Sequence, residues 1–121
     1  MDCVKAILVN PAGEFLLQLR SHEQPGAGQW DFFGGKIEPG ESPETAILRE
    51  VQEELGYVLR MVQPNGVVDV EGHRFFMFIA PIQASASSLH LTEGALCTVI
   101  KSQLLQVVNG SIGKAAVFEV A

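Results

Sequence analysis

Six carboxylates fall within the 23 residues from Gly35 to Tyr57, and four of them, Glu44, Glu50, Glu53 and Glu54, belong to one short helical stretch. Ser42 is a good N-cap, Pro43 fits the first helical position and Gly56 fits the left-handed stop, so the spacing predicts a helix from about Pro43 to Leu55. At roughly 100° per residue, Glu50, Glu53 and Glu54 share one sector of that helix. Ile47, Leu48, Val51 and Leu55 gather on the adjoining sector and are expected to face the core. Like charges on adjoining turns oppose the helix by about 0.2–0.5 kcal/mol per pair, and a cation relieves that repulsion. Oxygen ligands of this hardness suit Mg²⁺, Mn²⁺ or Ca²⁺ rather than zinc.

Gly35, Glu41, Arg49-Glu50, Val51, Glu53-Glu54 and Gly56, followed by Tyr57, stand at the spacing of the Nudix box, and the chain resembles the Nudix hydrolases on these positions. Tyr57 stands where that family usually has an aliphatic residue. The resemblance implies the Nudix fold: an α/β/α sandwich with a mixed β-sheet, whose boxed helix presents its glutamates at one mouth. It also implies metal-dependent hydrolysis of a diphosphate linkage. Glu50 and Glu54, four residues apart, are the first candidates for metal ligands, with Glu53 beside them to hold a second ion or activate water. Gly35 offers a backbone carbonyl to the metal, and Glu41 is placed to reach the cluster through water. Arg49 resembles the family's orienting partner for a box carboxylate. Leu91-Thr92-Glu93-Gly94 resembles a loop in which relatives carry a further glutamate, so Glu53 and Glu93 compete for the role of general base.

Trp30-Asp31-Phe32-Phe33-Gly34-Gly35-Lys36 resembles the Trp-x-Phe-Pro-Gly-Gly-Lys lead of the MutT-like branch, which cleanses oxidised nucleoside triphosphates, with Phe33 in the proline's place. Trp30 and Phe32 are candidates either for stacking on a base or for the core. Arg20 and Lys36 are candidates for phosphate contact, against a solvated surface role. Asn109 resembles a purine-reading asparagine of that branch and equally suits a helix cap. The implied function is a Mg²⁺- or Mn²⁺-dependent pyrophosphohydrolase acting on a nucleoside diphosphate derivative, with nucleoside triphosphates, oxidised purine ones among them, as the leading subclass. Nucleotide-sugar or dinucleotide hydrolysis and a non-catalytic nucleotide-sensing module are the alternatives. Sensing modules typically lose box glutamates, and this box keeps them all.

The rest of the chain bounds this reading. Its 121 residues suit a single domain, 1–121, with a real core. A formal charge of −6 argues against a nucleic-acid polymer or an anionic membrane as partner, and points to a small-molecule nucleotide bridged by cations. No apolar run approaches the ~20 residues of a membrane span, and no signal peptide is apparent, so a cytoplasmic monomer or homodimer is expected. Cys3 and Cys97 read as buried, reduced thiols. His22, His73 and His90 share no spacing that suggests a joint role. Strands are expected over Asp2–Asn10, Glu14–Arg20, Trp30–Phe33, Val58–Gln63, Val67–Val70, His73–Ile82 and Ala95–Ile100. Turns are expected at Pro11-Ala12-Gly13, Pro64-Asn65-Gly66 and Glu71-Gly72, and loops over Ser21–Gln29 and Ala84–Ser88. Lys101–Val107 and Ile112–Val120 carry weaker helical patterns. Strands, a helix, more strands and a terminal helix make an α/β sandwich.

Overall fold

A computed structural model of the chain describes residues 1–19, 29–83, 89 and 95–104. The expected loops at 21–28 and 84–88, the helical patterns beyond 104, and the candidates Arg20, Glu93 and Asn109 lie outside the described residues. The elements run β1 (Asp2–Val9), β2 (Phe15–Leu19), β3 (Trp30–Asp31), β4 (Phe33–Lys36), α1 (Pro43–Leu55), β5 (Gln63–Val70), β6 (His73–Pro81) and β7 (Ala95–Val99), followed by a 3₁₀ turn at Lys101–Gln103. No helix among the described residues is long and apolar enough to cross a membrane.

The seven strands form one mixed sheet, with β1 at its centre. β1 runs parallel to β6 and antiparallel to β4, and touches β2 only at Val9↔Phe15. Its near-continuous apolar run is buried on both faces, as a strand covered from both sides must be. Val4, Ala6 and Leu8 join Ala46, Ile47, Val51 and Leu55 of α1 in one core. Cys3 and Ile7 join Leu17, Phe32, Phe75, Met77 and Leu104 in a second core on the opposite face.

α1 has the predicted bounds and caps. The Ser42 hydroxyl accepts the Thr45 N–H at 3.2 Å, and Gly56, at φ +66°, donates its N–H to the Gln52 carbonyl. One core position differs from expectation: Leu48 is 37% exposed, and Ala46 fills the buried stripe instead. The stripe turns toward β1 and β4 through positions 46, 47, 51 and 55, and Leu48 lies past its edge.

Three other expectations change. Of the expected strand Val58–Gln63 only Gln63 is in a strand, as the start of β5, and Pro64-Asn65-Gly66 lies inside β5 rather than in a turn. Between Pro64↔Phe78 and Val67↔Phe76 the register slips by one residue, a bulge with Gly66 at φ +95°. β5 is an edge strand, where a proline without N–H breaks no ladder. The expected strand Trp30–Phe33 divides at Phe32: β3 pairs with β2, and β4 pairs with β1. Glu71 and Gly72, both at positive φ, form the tight turn joining β5 to β6, as expected.

Gly34 lies where β4 crosses β1, and a Cβ there would overlap the Val4 carbonyl oxygen and reach within 2.9 Å of the Lys5 Cα. Both obstacles are backbone and cannot rotate away. Gly34→Ala should therefore destabilise the fold by about 3 kcal/mol, the upper end of ordinary overpacking. Urea unfolding checks this; a change below about 1 kcal/mol would mean that β1 and β4 are not packed this closely.

Candidate active site

Arg49 is the hub of the acidic end of α1. Its Nε and Nη2 donate to the two Glu41 oxygens at 2.8 and 2.9 Å, a bidentate pair, and Nη2 also donates to the Lys36 carbonyl at 3.1 Å. Nη1 donates to Glu50 at 2.9 Å and to Glu53 at 3.3 Å, and lies 3.7 Å from Glu38. One guanidinium thus binds the pre-helical loop, the end of β4 and the helix together. The resemblance implied such an orienting role, and the structure brings Arg49 onto box carboxylates.

Glu41 was expected to reach the acidic cluster. Instead both its oxygens face Arg49, and one also accepts the Glu38 N–H at 3.0 Å. The Arg49 hydrogen bonds, reinforced by that backbone donor, hold its carboxyl down at about 2. The same pairing raises the Arg49 guanidinium, so it stays charged at any working pH.

Glu50, Glu53 and Glu54 share the predicted sector but not one environment. The Glu53 side chain is 58% exposed, whereas that of Glu50 is 15% exposed. The Glu50 carboxylate lies against the Gly35 backbone, so closely that a Cβ on Gly35 would come within 2.6 Å of it. Glu54 is the most enclosed. One of its oxygens accepts the Gly34 N–H at 3.0 Å, and the other accepts Nε2 of Gln18 at 2.9 Å. Burial, together with the Glu50 charge, pushes its carboxyl up to about 7 despite those donors and the nearby Lys5. Among the described residues, no three acidic, histidine or cysteine side chains stand close enough together to chelate an ion in this arrangement. Arg49 separates Glu50 from Glu53, and Glu54 turns toward the sheet.

Two candidates on the β3–β4 lead resolve differently. Lys36 is exposed beside the Arg49 cluster and stays available to an anion. Phe32 is fully buried in the second core, so its ring has no free face for a base; it is a core aromatic and not a substrate platform. Trp30 is partly buried against that same core.

The residues that sequence reasoning missed are Lys5, Gln18 and Asp31, the three buried polar side chains among the described residues. Lys5 Nζ donates to Asp31 at 2.8 Å and to the Phe32 carbonyl at 3.3 Å, while Asp31 accepts the Phe32 N–H at 2.7 Å. Gln18 reaches the same carbonyl at 3.4 Å as well as Glu54. The available signal was a polar residue inside each apolar run, Val4-Lys5-Ala6 and Leu17-Gln18-Leu19.

The NUDIX domain model matches residues 1–101. A CTP pyrophosphohydrolase of Escherichia coli is 45% identical over 53 residues, which are 44% of this chain and 39% of that protein. An 8-oxo-dGTP diphosphatase of Proteus vulgaris is 55% identical over 38 residues, 31% of each chain. The matches thus span less than two fifths of either relative's length. A MutT Nudix hydrolase from Burkholderia pseudomallei superposes with a TM-score of 0.78 at 26% identity, covering 99% of this chain and 97% of that one. With the box, the sheet and the capped helix all in the family's arrangement, the chain belongs to the Nudix family and has the Nudix fold.

Proposed function

We propose that the chain is a Mg²⁺- or Mn²⁺-dependent pyrophosphohydrolase acting on a nucleoside triphosphate, with oxidised purine nucleotides among the candidate substrates. The observation that carries this reading is the complete set of box carboxylates arranged around Arg49 and Gly35. The names of the relatives, a CTP pyrophosphohydrolase and an 8-oxo-dGTP diphosphatase, support the substrate class.

The residues fit a hard divalent ion. Glu54 is a carboxylate held in a largely enclosed place where its charge is costly, with the Glu50 charge adding to that cost. Positive charge between them removes both penalties. Glu50, Glu54, Glu53 and the Gly35 carbonyl are the groups that would hold it. A bound dication offsets charge on the phosphoryl oxygens and acidifies water. The chain's own part is then geometric. Arg49 fixes Glu41 and Glu50, the Gly34 N–H and Gln18 fix Glu54, and Glu53 keeps an exposed carboxylate at the mouth. Lys36 and Arg20 meet phosphate, and Asn109 reads the base. Water adds to one phosphorus, the bridging P–O bond breaks, and the proton passes to Glu53 or Glu93, leaving a nucleotide and a phosphate-containing fragment.

With Mg²⁺, a panel of normal and oxidised triphosphates, nucleotide sugars and dinucleoside polyphosphates should give turnover highest on a triphosphate. Glu53→Gln and Glu54→Gln should each lower kcat by about a hundredfold. Full turnover in Glu54→Gln would remove the ligand role, and no turnover of any compound would favour a sensing module. If Glu93→Gln lowers kcat by less than about tenfold, Glu53 is the base.

A second outcome concerns pH in the metal-free protein. The Glu54 carboxyl sits near 7 when folded, against 4.5 unfolded. Its contribution to stability is thus fully present below about 4.5 and disappears as pH rises through about 7. Glu54→Gln, which mimics the neutral form, should gain on the wild type by roughly 3 kcal/mol between pH 4.5 and 8 in EDTA. Added Mg²⁺ should close the gap at pH 8. Denaturant midpoints measure it, and a pH-independent difference would show that Glu54 carries no burial penalty.

A further inference from the structure

Gln18 is fully buried on β2, flanked by Asp31 of β3 on one side and Leu96 of β7 on the other. Strand alternation puts it on the same face as Leu16, the face covered by α1. Its Nε2 makes one good hydrogen bond, 2.9 Å to Glu54, and one at the limit of length, 3.4 Å to the Phe32 carbonyl. That carbonyl already has the Lys5 ammonium as a donor, so the backbone does not require Gln18. Its Oε1 is buried and receives no hydrogen bond from any described residue. Exchanging Oε1 and Nε2 would set an oxygen against the Phe32 carbonyl, so the amide orientation is dictated by its acceptors. A buried amide oxygen left without a donor destabilises a protein. An apolar side chain of the same size would avoid that cost, so a purely structural role gives no reason for glutamine here.

We propose that Gln18 is a positioning residue for Glu54, holding its carboxylate at the orientation in which it grips a divalent cation. The proposal rests on the reading of Glu54 as a metal ligand given above. Glu54 has about four lone-pair directions when ionised. The Gly34 N–H takes one and Gln18 takes another, which leaves one on each oxygen for a cation. The Gly34 donor is fixed by the backbone, so Gln18 is the only side chain among the described residues that hydrogen-bonds this carboxylate. Without it, the second oxygen loses its donor and the carboxyl is free to turn about its remaining bond.

The test is calorimetric titration of Mn²⁺ alone, without nucleotide, into metal-free wild type, Gln18→Met, Gln18→Leu and Glu54→Gln, with thermal unfolding of each apoprotein. Gln18→Met and Gln18→Leu should bind Mn²⁺ at least tenfold more weakly while their apo Tm stays within about 4 °C of wild type or rises, because the orphaned oxygen is gone. In turnover assays, the Mg²⁺ concentration for half-maximal rate should rise by a similar factor, with the nucleotide KM at saturating Mg²⁺ unchanged. If Glu54→Gln loses Mn²⁺ affinity but both Gln18 variants stay within twofold of wild type, the positioning role is overturned and the metal reading stands. If Glu54→Gln also binds normally, both are overturned. Unfolded apoprotein in both Gln18 variants also counts against the proposal, as the behaviour of a structural side chain.

Discussion

One peptide in the middle of the sheet governs much of this fold: the Phe32 backbone, where the chain leaves β2 and joins β1. β1 and β2 touch at a single residue pair and then diverge, so a strand passing between them cannot keep one partner. At the change-over the Phe32 N–H and carbonyl have no ladder to enter, and a buried backbone group left unpaired is costly. Side chains answer it. Asp31 takes the N–H, and Lys5 serves the carbonyl with Gln18 in reserve. An isolated buried lysine is prohibitive, but one 2.8 Å from a buried aspartate and donating to a carbonyl is compensated on two sides. The same change-over delivers Gly34 and Gly35 to β1 with α1 directly above them. The site geometry is therefore a consequence of how the sheet closes its gap.

Around α1 the balance of charge decides which carboxylates are free. Arg49 contributes a single positive charge to four nearby acids, and its hydrogen bonds rank them. Glu41 is bound most tightly, Glu50 next, Glu53 at the edge of range, and Glu38 only as a loose ion pair. Glu54 receives nothing from it. The pairs to the exposed Glu38 and Glu53 contribute little to stability, typically below about 1 kcal/mol, and the part-buried bonds to Glu41 and Glu50 fix the position of the cluster. What remains without an ion pair among the described residues is the largely enclosed Glu54 beside Glu50. It is the place where a doubly charged cation changes the local energy most.

How much of this was legible depended on whether local chemistry or tertiary closure set the outcome. Ser42, Pro43 and Gly56 act within a few residues of themselves, and α1 has the bounds they predict. The β5–β6 turn at Glu71-Gly72 and the dense β6 run follow from equally local rules. Pro64-Asn65-Gly66 misled because the same residues suit a turn and an edge-strand bulge, and only the neighbouring β6 decides between them. Trp30–Phe33 read as one strand because nothing in four residues reveals that its two halves have different partners. Leu48 missed the core because a helical sector has no sharp edge, and the small Ala46 packs more closely against the sheet. Phe32 was legible as an aromatic of either role, and its complete burial settles it as core.

The buried polar trio was the hardest part to foresee, for a physical reason. A lysine inside Val4-Lys5-Ala6 and a glutamine inside Leu17-Gln18-Leu19 look like the outward residues of half-exposed strands, which is the ordinary meaning of alternation. That inference fails when a strand is covered on both faces, because there is then no outward side. The near-continuous apolar run of β1 was the clue that its polar member must find a partner indoors. Such a partner must come from another segment, since neighbours along a strand point to opposite faces. Asp31 lies 26 positions from Lys5, and Glu54 lies 36 from Gln18. Polar residues in a doubly covered strand therefore mark where distant parts of a site are tied together, even when the strand itself carries no motif.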